Sequence, residues 1–493
     1  MNGRLGRAGA LAAFACGALL AAACKTPPPP PTPGSVNVLL VTVDTLRPDR
    51  LSCYGYKGRA TPNIDRLAAA GVLFENAYCD VPWTTPSMAS VHTGLYAIHH
   101  GLKSSFQQLD DANVTLAEVL KSKGYTTAAF IGSFPVDSSF KFNQGFDVFD
   151  EEFDTPSVVD QDGKPKERIR PEFHESLEDQ RLFQFRKAHA DAFREDTKVS
   201  DASIEWLKQK PKRPFFLWVH YFGPHERHDA RLSFMDANAK MVDEYDPLLA
   251  KSDVAVGRLL DALAEFGLDA NTLVILHADH GQSLGEQYYF GHGVFLYDAT
   301  LRIPLLIRFP GQIDAGTRVS TMARNVDILP TVLELAGYGA PDGLDGRSLV
   351  AALRGRDNTN DRVAMYCETY LSATEGFAEE VRVDGKPLRV GFVRRGVRTP
   401  DWLYVVNEPA PFIDYSNPPP VPASVVSGYR KEELFDMRND PAQAANIIGN
   451  QPAAAAGLRR KLAAYLETSR PPSAHRELDA AAKERLRSLG YME

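Results

Sequence analysis

The sequence predicts an α/β fold in which helices cover both faces of a mostly parallel central sheet. Residues 38–43 form a continuous apolar, β-branched run, which is typical of a strand buried on both faces of a parallel sheet. Similar runs recur along the chain and alternate with helical segments, and this alternation favours a doubly wound sheet. Shorter segments after about Arg324 indicate a smaller carboxyl-terminal α+β subdomain packed against the sheet.

Apolar runs and helical periodicity define the predicted elements in order. The predicted strands span residues 38–43, 126–131, 215–220, 272–276 and 304–309. The predicted helices span residues 63–70, 116–121, 200–208, 245–266 and 327–336. Glycine follows most of these helices, as is usual at a helix carboxyl terminus.

The amino terminus resembles a bacterial lipoprotein signal. Arg4 and Arg7 precede an apolar run and three small residues, so residues 1–23 are predicted to be a signal peptide. Cys24 is then the predicted lipidation site, and the proline-rich residues 24–35 form an extended tether. We therefore expect an extracytoplasmic lipoprotein that its lipid anchors to a membrane.

The remaining chain divides into a main domain and a carboxyl-terminal part. The main domain is predicted over residues 36–323, with a charged surface insertion over 150–193. Residues 324–493 then hold the small subdomain and a terminal helix. The formal net charge is −8, and no basic stripe offsets it, so we expect no nucleic-acid partner.

Several predicted strands end in residues that can bind a metal ion or transfer a proton. Asp44, His225 and the pair Asp279-His280 each follow one of these strands. Since the carboxyl ends of parallel strands share one edge of an open sheet, these side chains are expected to meet there. Carboxylate and imidazole groups suit a divalent cation. A single histidine or aspartate at a strand end is more often structural, and it is the convergence that favours a site.

Residues 83–94 are predicted to form a loop that turns into a helix. Pro86 suits a first helical position, because it lacks an N–H group and has a preset φ. The free amides and the dipole at this helix N-terminus would favour an anion, with the hydroxyl of Thr84 or Thr85 facing a bound phosphate or sulfate. An ordinary capping threonine is the alternative interpretation.

Motifs between residues 38 and 447 resemble those of the sulfatases, within the alkaline-phosphatase superfamily. The matching segments are VTVDTLRPD (41–49), TPNIDRLA (61–68), ADHG (278–281), GHG (291–293), LDGRSL (344–349) and ELFD (433–436). The resemblance implies an alkaline-phosphatase-like fold and an ester hydrolase, with Asp44, Asp279 and His280 in the metal motifs.

Four places in the chain depart from the family pattern. The Cys-x-Pro-x-Arg motif, whose Cys or Ser becomes formylglycine, is Thr84-Thr85-Pro86-Ser87-Met88 here, so we expect no formylglycine and the stabilising arginine is missing. Thr45 replaces the second of two tandem acidic ligands. Where many members of the family have a Gly-Lys-Trp-His segment that contacts sulfate, this chain has Gly132-Ser133-Phe134-Pro135. His292 aligns with a later lysine that contacts sulfate in the family.

These observations predict a metal-dependent hydrolase of sulfate, phosphate or phosphonate esters. The predicted ligands of one divalent cation (calcium, manganese or zinc) are Asp44, Thr84, Asp279 and His280. Thr84, activated by the cation, is the predicted nucleophile. His225 is the predicted acid for the leaving oxygen, and His292 is the predicted substrate contact.

A threonine nucleophile favours a phosphorus ester. Formylglycine releases sulfate by breaking down its own hemiacetal, a route that a sulfated threonine lacks, whereas water can hydrolyse a phosphorylated threonine. His228 is a candidate ligand of a second cation, together with His225 and His292. The expected substrate is a small-molecule, glycan or lipid-head-group ester. One alternative is a transferase that passes a phospho-group from Thr84 to an envelope acceptor. The other is a non-catalytic envelope binding lipoprotein, which Met88 and Thr45 support best.

Overall fold

The computed structural model describes residues 31–104, 107–153, 193–225, 234–356, 363–370, 379–383, 386–411, 431–473, 481–483 and 485. The predicted signal peptide, Cys24, most of the tether and nearly all of the predicted insertion lie outside these residues. None of the helices in the described part of the chain combines the length and the hydrophobicity that a membrane span needs.

A large, mostly parallel sheet forms the centre of the main domain. The strands of this domain are β1 (Asn37–Val43), β2 (Val72–Tyr78), β3 (Thr126–Ile131), β4 (Val148–Asp150), β5 (Phe215–Tyr221), β6 (Thr272–His277), β7 (Ser283–Leu284), β8 (Phe290–Gly291), β9 (Arg302–Arg308), β10 (Thr317–Val319) and β11 (Ala323–Arg324). The sheet has the spatial order β10-β2-β9-β6-β1-β5-β3-β4, with β11 also paired to β2, and β7 and β8 form a separate hairpin. β1 is parallel to β5 and β6, whereas β9 is antiparallel to its neighbours. The predicted α/β architecture is confirmed.

Helices flank the sheet, and three of them begin clearly before the predicted residue, including the helix predicted over 200–208, which begins at Asp196. The helices are α1 (Pro62–Ala69), α2 (Thr84–Thr93), α3 (Ala97–His100), α4 (Leu116–Ser122), α5 (Asp196–Lys208), α6 (Phe234–Glu265), α7 (Asp298–Leu301), α8 (Ile328–Leu335), α9 (Val350–Leu353) and α10 (Pro452–Glu467). α2 begins at Thr84 rather than at Pro86, because the first N–H groups of a helix make no intrahelical bond and proline is tolerated throughout that turn. α6 begins at Phe234, well before residue 245. Its first turns were not predicted because polar residues interrupt the apolar period there.

β1 lies at the centre of the sheet, and its register determines where the neighbouring strands end. Every residue of β1 is buried, as its continuous apolar run predicts. Thr42 of β1 lies opposite His220 of β5 on one side and His277 of β6 on the other. The three strands therefore end at the same level, and the loops that follow them leave the sheet at one edge.

An antiparallel sheet forms the carboxyl-terminal subdomain and confirms its prediction. Its strands are β12 (Met365–Thr369), β13 (Glu379–Val383), β14 (Lys386–Arg398), β15 (Trp402–Pro411) and β16 (Lys431–Asp436), in the order β12-β14-β15-β16 with β13 on β14. α10 buries Leu458 and Leu462. The Glu368 amide donates to the Asp80 carbonyl oxygen over 2.9 Å, which fastens β12 to the main domain.

Gly346 provides a test of the packing beside α8. A Cβ atom at this position would lie 1.9 Å from the Val326 carbonyl oxygen. Because backbone atoms must move to admit it, we expect Gly346→Ala to lower the free energy of unfolding by roughly 1–3 kcal/mol, as overpacked sites usually do. Urea unfolding monitored by tryptophan fluorescence measures this loss. Gly339→Ala is the matched control, since no atom lies within 4 Å of its Cβ position. An equal loss in both variants would contradict the steric explanation.

Candidate active site

Three buried side chains meet at the carboxyl edge of the central strands. Asp44 follows β1, His220 lies near the end of β5, and Asp279 follows β6. All three are completely buried, and one ligand atom of each lies within 4.8 Å of those of the other two. Two carboxylates and one imidazole form a set that can hold a divalent cation.

His220 is a site residue that the sequence analysis missed. Both of its ring nitrogens are buried, and neither has a hydrogen-bond partner among the described residues. Burial lowers the pKa of His220 to about 4, so the ring is neutral at pH 7 and keeps a lone pair for a metal ion. The signal in the sequence was one histidine in an otherwise apolar strand. That pattern alone does not distinguish a ligand from a structural histidine.

His280 presents a lone pair to the same cluster. Its Nδ1 lies 2.8 Å from the Gly281 carbonyl oxygen, which can only accept, so Nδ1 carries the proton and Nε2 carries the lone pair. Nε2 lies 3.1 Å from Thr84 Oγ1, 3.3 Å from Asp279 Oδ2 and 3.9 Å from Asp44 Oδ1. A lone pair that faces two carboxylates is unfavourable, and a cation between these groups would make the arrangement favourable.

Thr84 is the first residue of α2 and is completely buried. One turn later, the Ser87 hydroxyl donates to the Asp279 carbonyl oxygen over 2.7 Å. The Thr85 hydroxyl donates to the Pro135 carbonyl oxygen over 2.9 Å. These bonds keep the N-terminal amides of α2 beside the cluster, where an anionic group would be stabilised.

Thr45 adopts a left-handed backbone conformation next to Asp44. Its φ is 55°, which for a β-branched residue is an outlier that costs about 1–3 kcal/mol. Its amide donates to Asp279 Oδ1 over 3.1 Å, and its hydroxyl donates to the Asp44 carbonyl oxygen over 2.8 Å. The Thr45 side chain therefore bonds the backbone and does not stand in for a second carboxylate.

Two further histidines adjoin the cluster. His225 is completely buried and stacks on Phe222 with 4.6 Å between ring centroids, and the His292 ring lies 5.0 Å from His225 and 4.5 Å from His280. His292 Nδ1 lies 2.9 Å from Gln282 Oε1. Burial, together with the neighbouring imidazoles of His280 and His225, holds the pKa of His292 well below its ordinary value. A neutral His292 can contact a substrate through hydrogen bonding rather than as a positive charge.

Most of the predicted site residues lie together. The predicted ligands and the two catalytic or substrate-contacting histidines line one buried region, and they are Asp44, Thr84, Asp279, His280, His225 and His292. Met88, which the resemblance aligns with the family's arginine, is completely buried in the hydrophobic core. Phe134 packs against Phe140 with 5.4 Å between ring centroids. His228, predicted for a second cation, lies outside the described residues.

Comparison with known proteins decides the family. A family model described as Sulfatase matches residues 36–338, which is more than half of the chain. The chain belongs to the sulfatase family. It is 29% identical over 454 residues to arylsulfatase A of Homo sapiens, a match that covers 84% of this chain and 83% of that protein. It is 25% identical over 533 residues to an N-acetylglucosamine-6-O-sulfatase of Bacteroides thetaiotaomicron, which covers 88% and 86% of the two proteins.

A solved structure from outside the named sulfatases has the same fold. The phosphonate monoester hydrolase of Agrobacterium radiobacter matches with a TM-score of 0.61 at 20% identity, covering 87% of this chain and 95% of that chain. The family and its sulfatase relatives support an ester hydrolase, and this neighbour shows the same fold in a phosphonate monoester hydrolase.

The metal affinity of this sulfatase-family protein tests the role of His220. We expect His220→Gln to weaken Mn²⁺ binding at least about tenfold, because the imidazole lone pair is lost from the ligand set. Isothermal titration of EDTA-treated protein with MnCl₂ measures the affinity. His92→Gln is the matched control. His92 is also buried, and its Nε2 has no hydrogen-bond partner among the described residues. Its ring instead packs against Trp218, with 4.3 Å between the ring centroids. Unchanged binding in His220→Gln would exclude it as a ligand.

His92 also predicts a pH dependence of stability. Burial lowers the pKa of His92 to about 3, so the unfolded chain takes up this proton at a higher pH than the folded one. Its contribution to stability is present above about pH 6.5 and is lost as the pH falls, by about 2 kcal/mol between about pH 7 and pH 5. Urea unfolding at both pH values should show that His92→Gln loses less stability on acidification than the wild type. Equal losses would contradict the buried, neutral state.

Proposed function

We propose that this protein hydrolyses phosphate or phosphonate esters, or sulfate esters, with Thr84 as the nucleophile. The proposal rests on the position of Thr84. Its Oγ1 lies at the start of α2, 3.1 Å from His280 Nε2, and beside the buried cluster of Asp44, His220 and Asp279. A hydroxyl in this position combines a helix N-terminus that stabilises anions with groups that suit a cation.

The proposed cation would be held by two carboxylates and two imidazoles. These ligands are Asp44, His220, Asp279 and His280. When bound, a divalent cation supplies positive charge that lowers the pKa of a neighbouring hydroxyl and stabilises charge in the transition state. Calcium, manganese and zinc all remain candidates, and the two imidazoles favour manganese or zinc over calcium.

The first half of the proposed reaction transfers the acid group to the threonine. The Thr84 hydroxyl gives its proton to water, and its Oγ forms a bond to phosphorus while the bond between phosphorus and the leaving oxygen breaks. The amides in the first turn of α2 donate to the non-bridging oxygens. His225, protonated at the start, gives its proton to the leaving oxygen.

The second half releases the product. His225, now neutral, takes a proton from a water molecule, and the resulting hydroxide attacks the phosphorus of the threonyl ester. The bond between phosphorus and Thr84 Oγ breaks, and the threonine oxygen takes from water the proton that it released in the first half. His225 thus returns to its protonated state, and His292 contacts the substrate as a neutral group.

A phosphorus ester is the preferred substrate in this proposal. Formylglycine releases sulfate by breaking down its own hemiacetal, whereas threonine has no such route and depends on attack by water. The names of the relatives include sulfatases and a phosphonate monoester hydrolase, so both ester types fit the family and the fold. We further propose an organic part of glycan, lipid-head-group or small-molecule type, and an extracytoplasmic enzyme anchored through Cys24.

Substitution of Thr84 tests the function. Aryl phosphate monoesters, phosphodiesters, phosphonates and sulfates should be assayed with Mn²⁺, Zn²⁺ and Ca²⁺. We expect Thr84→Ala to lower kcat/KM for a phosphorus ester at least about 10³-fold, because the nucleophile is lost, while Thr84→Ser keeps part of it. Thr85→Ala is the matched control, since this neighbouring hydroxyl is buried but bonds Pro135. Acid-quenched wild type should contain phosphothreonine at position 84 by mass spectrometry.

Other outcomes of this assay would favour other functions. Sulfate turnover that depends on Thr84 would contradict the preference for phosphorus. Weak hydrolysis that is enhanced by an added alcohol would favour a transferase. No turnover of any substrate, together with no retained metal, would favour a binding protein.

A further inference from the structure

A buried tyrosine of α6 holds the loop that carries Asp44. Tyr245 is completely buried, and its hydroxyl donates to the Thr45 carbonyl oxygen over 2.7 Å. The same hydroxyl oxygen accepts a hydrogen bond from the Arg47 amide over 2.9 Å. One side chain therefore satisfies two backbone groups of the loop directly after β1.

This loop contains the strained residue of the site. Thr45 has a φ of 55°, which threonine adopts only when the surroundings enforce it. Burial raises the pKa of Tyr245, so its hydroxyl stays protonated and can donate to the Thr45 carbonyl. Since Tyr245 is shielded from solvent, bulk water cannot take over these two bonds if the hydroxyl is removed.

The conformation of Thr45 determines how Asp279 faces the cluster. Asp279 Oδ1 accepts from the Thr45 amide over 3.1 Å and from the His280 amide over 2.8 Å. Asp279 Oδ2 lies 3.3 Å from His280 Nε2 and has no hydrogen-bond partner among the described residues. Two backbone donors thus occupy one carboxylate oxygen and leave the other facing the cluster.

We propose that Tyr245 is a positioning residue for the metal ligands. Its hydroxyl holds Thr45 in the left-handed conformation, and Thr45 in turn orients Asp44 through the chain and Asp279 through its amide. This inference rests on the proposed function, because the ligands belong to the proposed metal site. Without the hydroxyl, Thr45 relaxes toward negative φ, its amide turns away from Asp279 Oδ1, and the carboxylate loses its fixed orientation.

Metal affinity, measured without any substrate, tests this proposal. Isothermal titration of EDTA-treated full-length protein with MnCl₂ should show Tyr245→Phe binding Mn²⁺ about tenfold to a hundredfold more weakly than the wild type, the range for partners that orient metal ligands. The double variant Tyr245→Phe with Thr45→Gly should recover most of this affinity. Glycine adopts the left-handed conformation without strain and keeps the amide that bonds Asp279.

Tyr221→Phe is the matched control. Tyr221 is also completely buried, and its hydroxyl lies 2.7 Å from Ser200 Oγ, so the variant loses a comparable hydroxyl that does not bond the Thr45 loop. We expect Tyr221→Phe to bind Mn²⁺ like the wild type even if it loses stability in urea. A purely structural role of Tyr245 would lower stability in both variants and affinity in neither.

Three results would overturn the proposal. Wild-type affinity in Tyr245→Phe would show that the hydroxyl does not position the ligands. Failure of Thr45→Gly to restore affinity in the double variant would show that Tyr245 does not act through the conformation of Thr45. Absence of Mn²⁺, Zn²⁺ and Ca²⁺ binding by the wild type would instead reject the metal site of the proposed function, and the positioning role with it.

Discussion

Two carboxylates and two imidazoles are buried side by side, and the arrangement of the main domain depends on this buried cluster. Asp44, Asp279, His220 and His280 are completely buried, and charge removed from water in this way costs several kcal/mol for each ion unless it is compensated. The chain provides part of the compensation through backbone amides directed at Asp279 and through the N-terminus of α2. The remaining part is what a divalent cation would supply.

The departures from the family pattern are consistent with one another. The resemblance implies that Thr84 and Met88 stand where other members of the family have a formylglycine and the arginine that stabilises it. Met88 lies in the hydrophobic core. On this prediction the charge is absent together with the group that it would stabilise. His292 fits the same prediction, because burial lowers the pKa of its ring and the resemblance aligns it with a lysine.

Much of this molecule could be predicted from local sequence patterns. The central strands were predictable because a fully buried parallel strand needs a continuous apolar run, and β1 and β6 have one. Asp44, Asp279 and His280 were found because they directly follow such runs and lie within family motifs. The start of α2 was missed because proline is tolerated at more than one position of a first turn, so Pro86 alone does not identify the first residue.

By itself, the sequence determined the fold class, the buried strands and the chemical types of the groups at their ends, because these depend on short stretches of chain. The tertiary structure alone decided which of these groups meet. His220 joins the cluster only because β5 lies beside β1 in a register that brings their ends together. Thr45 and Asp279 are 234 positions apart, and only strand order and a left-handed turn place the amide of one on the carboxylate of the other. Such contacts depend on the packing of distant elements, which no local pattern encodes.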